Sequence, residues 1–158
     1  EDHRGFFART YCEEEFRAHG LETHFAQSSI AFSSRRGTLR GMHYQREPFG
    51  EVKLVRCTRG AVYDAVIDLR PGSPAFRQWF AVELTAENRR MLYIPKGFAH
   101  GYQTLEDETE ISYQMSTPYH REAAAGVRWN DPAFAVRWPI EVAVIAERDD
   151  DYPDFQVS

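Results

Sequence analysis

The sequence predicts an all-β fold, and three observations carry that prediction. Apolar residues alternate with polar ones in short runs rich in Val, Ile, Leu and aromatics. Turn-forming residues interrupt these runs every 8–12 residues or so, the rhythm of a sandwich or barrel. Long amphipathic helical patterns are missing; the candidates for helix are a short stretch over Thr10–His19, ended by Gly20, and an irregular or briefly helical end over Glu147–Ser158.

Taken in order, Phe25–Phe32 alternates weakly and is followed by the turn Ser33-Ser34-Arg35-Arg36-Gly37, after which Thr38–Gln45 resumes extended. Val52–Thr58 and Ala61–Leu69 are joined across Arg59-Gly60, which reads as a tight hairpin. Arg70-Pro71-Gly72-Ser73-Pro74 is a strong turn. Trp79–Leu84, Arg90–Ile94, Ala99–Leu105 and Glu110–Ser116 complete the strands, and the run Asp149-Asp150-Asp151 reads as solvated. No repeat or linker divides residues 1–158, so one domain is expected.

Composition narrows the function classes. The chain has 158 residues, 42% apolar, and a formal net charge of −5, which argues against a nucleic-acid partner. No run approaches the roughly 18 apolar residues of a membrane span, and no signal-peptide core is present. Cys12 and Cys57 fit no metal or disulfide spacing and read as free thiols of a cytoplasmic protein. The first residue is Glu1 rather than Met, and an N-terminal piece is expected to precede it. Of 19 basic residues only Lys53 and Lys96 are lysines, leaving 17 arginines.

Three segments carry candidate chemistry. In Gly37-Thr38-Leu39-Arg40-Gly41-Met42-His43-Tyr44-Gln45, a histidine among apolar strand residues can act as a general base. In Glu51-Val52-Lys53-Leu54-Val55-Arg56-Cys57, alternation puts Lys53 on the face of Val55 and Cys57. Its ammonium then either lines a polar cavity or reaches water at an edge. In Ile94–Tyr102, His100 lies between Ala99 and Gly101, with aromatics two residues away on each side. Parity also turns Tyr113 inward with Ile111 and Met115, and buries Asp64 with Val62 and Val66. An interior furnished with His, His, Lys, Asp and Tyr suits a ligand cavity in a small β-barrel. No His-x-His occurs, and His19, His24 and His120 read as surface residues, so no metal site is expected.

Together these segments, with Asp2–Phe7, Ile111–Tyr119 and Trp129-Asn130-Asp131-Pro132, resemble the dTDP-4-dehydrorhamnose 3,5-epimerase family. The resemblance spans nearly the whole chain in the family's order. It implies a cupin-like jelly roll, or double-stranded β-helix, with short peripheral helices and no metal or other cofactor. The family's opening strand would precede Glu1. The implied substrate is a nucleotide-linked 4-keto-6-deoxyhexose, inverted at C3 and C5. By similarity His43 is the base, Asp149 its orienting carboxylate, Tyr113 the acid on the opposite face, and Lys53 the group that steadies the enolate. Arg4, Arg40 and Arg148 match positions that hold the pyrophosphate or nucleotide, a task suited to guanidinium. Gln27, Ser29, His100 and Tyr119 match further substrate contacts, with Phe7 and Asp64 in support. Arg4 would reach a neighbouring subunit's site, implying a homodimer. Arg40 and His43 lie three apart and would face oppositely in a regular strand, unless Gly41 permits a bulge that turns both inward.

Two departures bear on specificity. The family usually places Glu where this chain has Arg9, and again where it has Ala124; Ser29 stands where Asn is common. An arginine in place of a carboxylate that accepts the thymine N3–H suits a base presenting an acceptor, as cytosine does. Inversion at a single centre, at C3 or C5, needs the same residue types and remains open, as do a 3,4-ketoisomerase and a sugar-nucleotide binding module without turnover.

Overall fold

The computed structural model describes residues 2–156. An exposed N-terminal stretch leads to α1 (Glu13–Ala18), whose first turn carries three glutamates that complement the helix dipole. Phe16 of α1 packs edge-on to Tyr11 and Phe25, at 5.0 and 6.3 Å between ring centroids, which fastens this short helix to the strands.

The strands follow as β1 (Gln27–Ser33), β2 (Thr38–Gln45), β3 (Lys53–Arg59), β4 (Ala61–Asp68), β5 (Trp79–Thr85), β6 (Met91–Ile94), β7 (Phe98–Thr104), β8 (Thr109–Met115), β9 (Ala124–Gly126) and β10 (Val144–Ile145), ending in α2 (Glu147–Asp150). They sort into two sheets. One has the order β1-β8-β3-β6; the other has the order β10-β2-β7-β4-β5, with β9 also paired to β2. All pairings are antiparallel except β10 with β2. Two facing sheets of this kind, with two short helices at the periphery, make the all-β jelly roll that the sequence predicts.

The expected hairpin across Arg59-Gly60 is not one. β3 pairs with β6 and β8, whereas β4 pairs with β5 and β7, so the chain steps from one sheet to the other at this point. Gly60 has φ +74°, and a Cβ there would stand 2.4 Å from the Thr109 hydroxyl oxygen. A close turn between two apolar runs looks the same in sequence whether it folds a hairpin or turns a corner between sheets. β9 and β10, of three and two residues, lie outside the predicted strands.

The core lies between the sheets. Val55, Cys57, Val62, Val66, Leu84, Ile94, Tyr102 and Ile111 form one buried cluster drawn from six strands. Burying each Val, Leu or Ile there is worth about 1.5–3 kcal/mol. A second cluster, including Ala65, Ile67, Ala99, Val127 and Phe134, covers the outer face of the larger sheet. β4 is therefore apolar on both faces, Val62 and Val66 in the first cluster and Ala65 and Ile67 in the second. The buried Asp131 carboxylate accepts the backbone N–H groups of Ala133 (2.7 Å) and Phe155 (2.6 Å), pinning the C-terminal segment across this sheet. By contrast the smaller sheet leaves Ile30 and Phe32 of β1 exposed.

Candidate active site

A cavity of about 970 Å³ opens between the sheets beside α2. Both sheets furnish its walls. Arg40 and His43 come from β2 and His100 from β7 of the larger sheet, and Lys53 from β3 and Tyr113 from β8 of the smaller one. Strand alternation explains most of these placements. Lys53 follows Val55 and Cys57 inward, and Tyr113 follows Ile111 and Met115.

Arg40 and His43 both reach the cavity because β2 is irregular between them. Its register against β7 shifts there, from Arg40 opposite Tyr102 to His43 opposite His100. Gly41 has φ +129°, and a Cβ on it would meet Gly101 Cα at 2.5 Å, so two glycine backbones lie in close approach at this bulge.

His43 is paired with Asp149. Its Nε2 lies 2.7 Å from Asp149 Oδ1, and the second carboxylate oxygen accepts the Gly41 N–H at 3.1 Å. Burial alone would raise this carboxyl. The His43 hydrogen bond and charge, the Gly41 N–H and the Arg148 charge outweigh it and hold Asp149 below its ordinary value. An ionised acceptor requires the proton on Nε2, which leaves the Nδ1 lone pair to take a proton. The reading of Asp149-Asp150-Asp151 as solvated holds for the last two; Asp149 itself is only 3% exposed because α2 packs against β2.

A second histidine–carboxylate pair lies deeper. His100 Nε2 is 3.0 Å from both oxygens of Asp64, and both residues are buried. Asp64, placed inward by parity, thus meets a partner. The Lys53 ammonium is 3.1 Å from Glu51 Oε1 and 3.4 Å from the His43 carbonyl oxygen, which it meets as donor. It is an interior cation lining a polar cavity, and the edge alternative falls away. Arg40 donates to Ser33 Oγ at 3.2 Å and to the Phe32 carbonyl at 3.1 Å. Gln27, Ser29, Tyr119, Ala124 and Arg148 also line the cavity. Arg148 brings its guanidinium within 3.3 Å of His43 Nε2.

Four of the expected residues do not line this cavity within the single chain: Asp64 stands behind His100, and Arg4, Phe7 and Arg9 lie elsewhere. Arg4 pairs with Asp2 at 2.6 Å in the exposed N-terminal stretch, Phe7 is 99% exposed, and Arg9 pairs with Glu15 at 2.9 Å on the surface. His19 and His24 are exposed, whereas His120 is half-buried and stacks on Phe49 at 3.8 Å. Among the described residues no cluster of three or more His, Cys, Asp or Glu has the arrangement of a metal site, and no helix is long and apolar enough to cross a membrane.

The cavity also contains residues that the sequence reading passed over. Glu51 and Tyr102 had a usable signal, since each shares a strand face with a recognised residue two positions away, Lys53 and His100. Arg121 and Tyr152 arrive from segments without regular structure, and no local pattern marks them.

The family model described as dTDP-4-dehydrorhamnose 3,5-epimerase matches residues 1–157. A protein of that name from Sinorhizobium fredii is 42% identical over 153 residues, covering 96% of this chain and 78% of the relative. The crystal structure of a dTDP-4-dehydrorhamnose 3,5-epimerase from Bacillus anthracis, with TDP and PPi bound, superimposes with a TM-score of 0.94 at 37% identity, covering 98% of this chain and 89% of the other. A 3'-monoepimerase from Streptomyces bikiniensis, in complex with dTDP-quinovose, gives a TM-score of 0.89 at 35% identity, covering 97% and 78%. Fold, cavity and sequence therefore place the chain in one enzyme family: it belongs to the dTDP-4-dehydrorhamnose 3,5-epimerases.

Proposed function

We propose that this isomerase inverts C3 and C5 of a nucleotide-linked 4-keto-6-deoxyhexose, of the dTDP-4-dehydro-6-deoxyglucose type. The observation that carries this reading is the placement of His43 and Tyr113 on opposing sheets across one cavity. Inversion requires a base on one face of the sugar ring and an acid on the other. His43, oriented by Asp149, takes the proton alpha to the C4 carbonyl, and the electron pair passes to the carbonyl oxygen as an enolate. Lys53 is the cation that stabilises that oxygen in a site screened from water. Tyr113 returns a proton to the carbon from the opposite face, and its phenolate regains one from solvent as His43 releases the one it took.

The polar lining divides accordingly. Arg40 and Arg148 hold the pyrophosphate, and Gln27, Ser29, His100 and Tyr119 contact the nucleotide or sugar, with Asp64 fixing His100. Arg4 and Phe7, exposed at the N-terminus, extend to the cavity of a second copy in a homodimer. Sedimentation should give a dimer, and a fully active monomer would remove this part. Both cysteines are free, in keeping with work in the cytoplasm.

Proton exchange in D2O is the deciding experiment. With dTDP-4-dehydro-6-deoxyglucose, NMR should show deuterium at C3 and C5 of an inverted product. Exchange at neither carbon would sink the reading. Exchange at one carbon alone would favour a single-centre epimerase, the reading suggested by the structural likeness to the 3'-monoepimerase. Ala124 in the cavity lining, together with Arg9, also leaves room for a nucleotide other than thymidine. Calorimetric titration with dTDP, CDP, UDP and GDP separates these, and a clear dTDP preference would exclude a shift.

A further inference from the structure

Tyr102 sits in the middle of β7, with Arg40 of β2 opposite it on one side and Asp64 of β4 on the other. It is 1% exposed, belongs to the central core cluster, and lines the cavity. A buried phenol normally satisfies its hydroxyl, because leaving it unpaired forfeits the hydrogen bonds it made in water. Among the described residues the Tyr102 hydroxyl is one of two buried side-chain polar atoms that lack a partner, the other being Arg56 Nε. The placement of this hydroxyl beside the acid therefore calls for a role during the reaction.

Its surroundings identify that role. Burial raises the Tyr102 phenol; Tyr113 of β8, Arg40 of β2 and Ser33 of β1 pull it down, and the Asp64 charge on β4 pushes it up. The His100 ring lies 6.5 Å from Tyr102 and 6.2 Å from Tyr113, between centroids. Tyr113 packs against the cluster that contains Tyr102, so the two phenols approach from opposing sheets.

We propose that Tyr102 is a positioning residue for Tyr113, its hydroxyl donating a hydrogen bond to the Tyr113 oxygen as that group gives up its proton. The proposal rests on the reading of Tyr113 as the acid. The balance is simple: Tyr113 loses its proton to the sugar carbon, Tyr102 keeps its own, and the Tyr113 phenolate recovers a proton from solvent. Burial raises both phenols, and the neighbouring Tyr102 and Asp64 push Tyr113 further, well above its ordinary value. A lone phenolate in this setting is costly, and a neighbouring O–H offsets that cost. Two phenolates would repel, so the pair holds one negative charge.

Tyr102→Phe keeps the ring and removes only the hydroxyl. In D2O with dTDP-4-dehydro-6-deoxyglucose, two quantities are read: deuterium in recovered, uninverted substrate, which reports the base, and inverted product, which also needs the acid. In the variant the first should stay close to wild type while inversion falls roughly ten- to hundredfold, the worth of a hydrogen bond to a charged group. The ratio of exchange to inversion rises by the same factor. A merely structural role would lower both together and leave the ratio unchanged, which would overturn the proposal, as would a variant that inverts at the wild-type rate. Tyr102→Phe combined with Tyr113→Phe provides a second check. It should invert no more slowly than Tyr113→Phe alone, and additive losses would again refute the proposal. A wild-type enzyme that neither exchanges nor inverts would instead remove the proposed function, and this proposal with it.

Discussion

The two histidine–carboxylate pairs have the same composition and opposite construction. His43 and Asp149 come from segments 106 residues apart, a bulged strand and a short helix, and the His43 side chain remains 34% exposed. His100 and Asp64 lie on adjacent strands in regular register, with side chains 4% and 0% exposed. In the first pair the carboxylate divides its oxygens between the imidazole and the Gly41 N–H, and the ring keeps an open edge. In the second, both carboxylate oxygens converge on one ring nitrogen. A histidine that must take and release protons needs access to solvent and a partner that fixes its tautomer. A histidine that only presents a fixed donor or acceptor to a ligand is better buried. The difference supports the proposed division of labour, with proton transfer at His43 and a rigid contact at His100.

Removing each histidine's function is the sharpest way to break this assignment. His43→Ala should lower solvent exchange at the sugar by about 10²–10⁴, the usual worth of a general base, while titrated nucleotide affinity survives. Equal losses of exchange and affinity would mean that His43 binds rather than reacts. Next in size, Asp149→Asn keeps the shape but allows the wrong tautomer. Its exchange rate should fall by about 10², with KM little changed. Asp64→Asn should act on the other axis. It leaves a buried imidazole imperfectly paired, at a cost of about 1–3 kcal/mol in urea unfolding, with a smaller loss of exchange than Asp149→Asn. An Asp64→Asn variant of full stability but no activity would reverse the roles of the two pairs.

The same contrast explains what the sequence made legible. Asp64 and Tyr113 lie on strands where period-two alternation turns them inward. Alternation puts Lys53 on the face of Val55 and Cys57 while leaving cavity or edge open, and His100 is marked by its place after a turn, between aromatics. The sequence bounds of β2, Thr38–Gln45, coincide with the observed strand because turn sequences flank it. The His43–Asp149 pair is harder, since it depends on a bulge at Gly41 and on a carboxylate within an acidic run that looks solvated until α2 meets β2. Resemblance to a family, rather than pattern, supplied Asp149. β9, with the sequence Ala124-Ala125-Gly126, has no β-propensity of its own and exists as a strand because β2 offers it a partner. The Arg59-Gly60 corner was misread for a related reason: local sequence encodes that the chain turns, while the choice of sheet is made by β8 and β7, roughly fifty and forty residues further on.

The smallest expected effect is the pH dependence of the His43–Asp149 pair's contribution to stability. Asp149 is held below its ordinary carboxyl value of 3.8 in the folded chain. The unfolded chain therefore binds more protons at this group over the interval between the two values, and stability rises with pH there. The contribution is complete above the unfolded value and disappears as pH falls through the folded one. Wild type and Asp149→Asn should thus differ by about 1 kcal/mol in urea unfolding at neutral pH, the net worth of one hydrogen bond. The gap should close as the solution is acidified below pH 3.8. A gap that persists unchanged into acid would mean that Asp149 contributes by packing rather than as an ionised partner of His43, and the tautomer argument would lose its support.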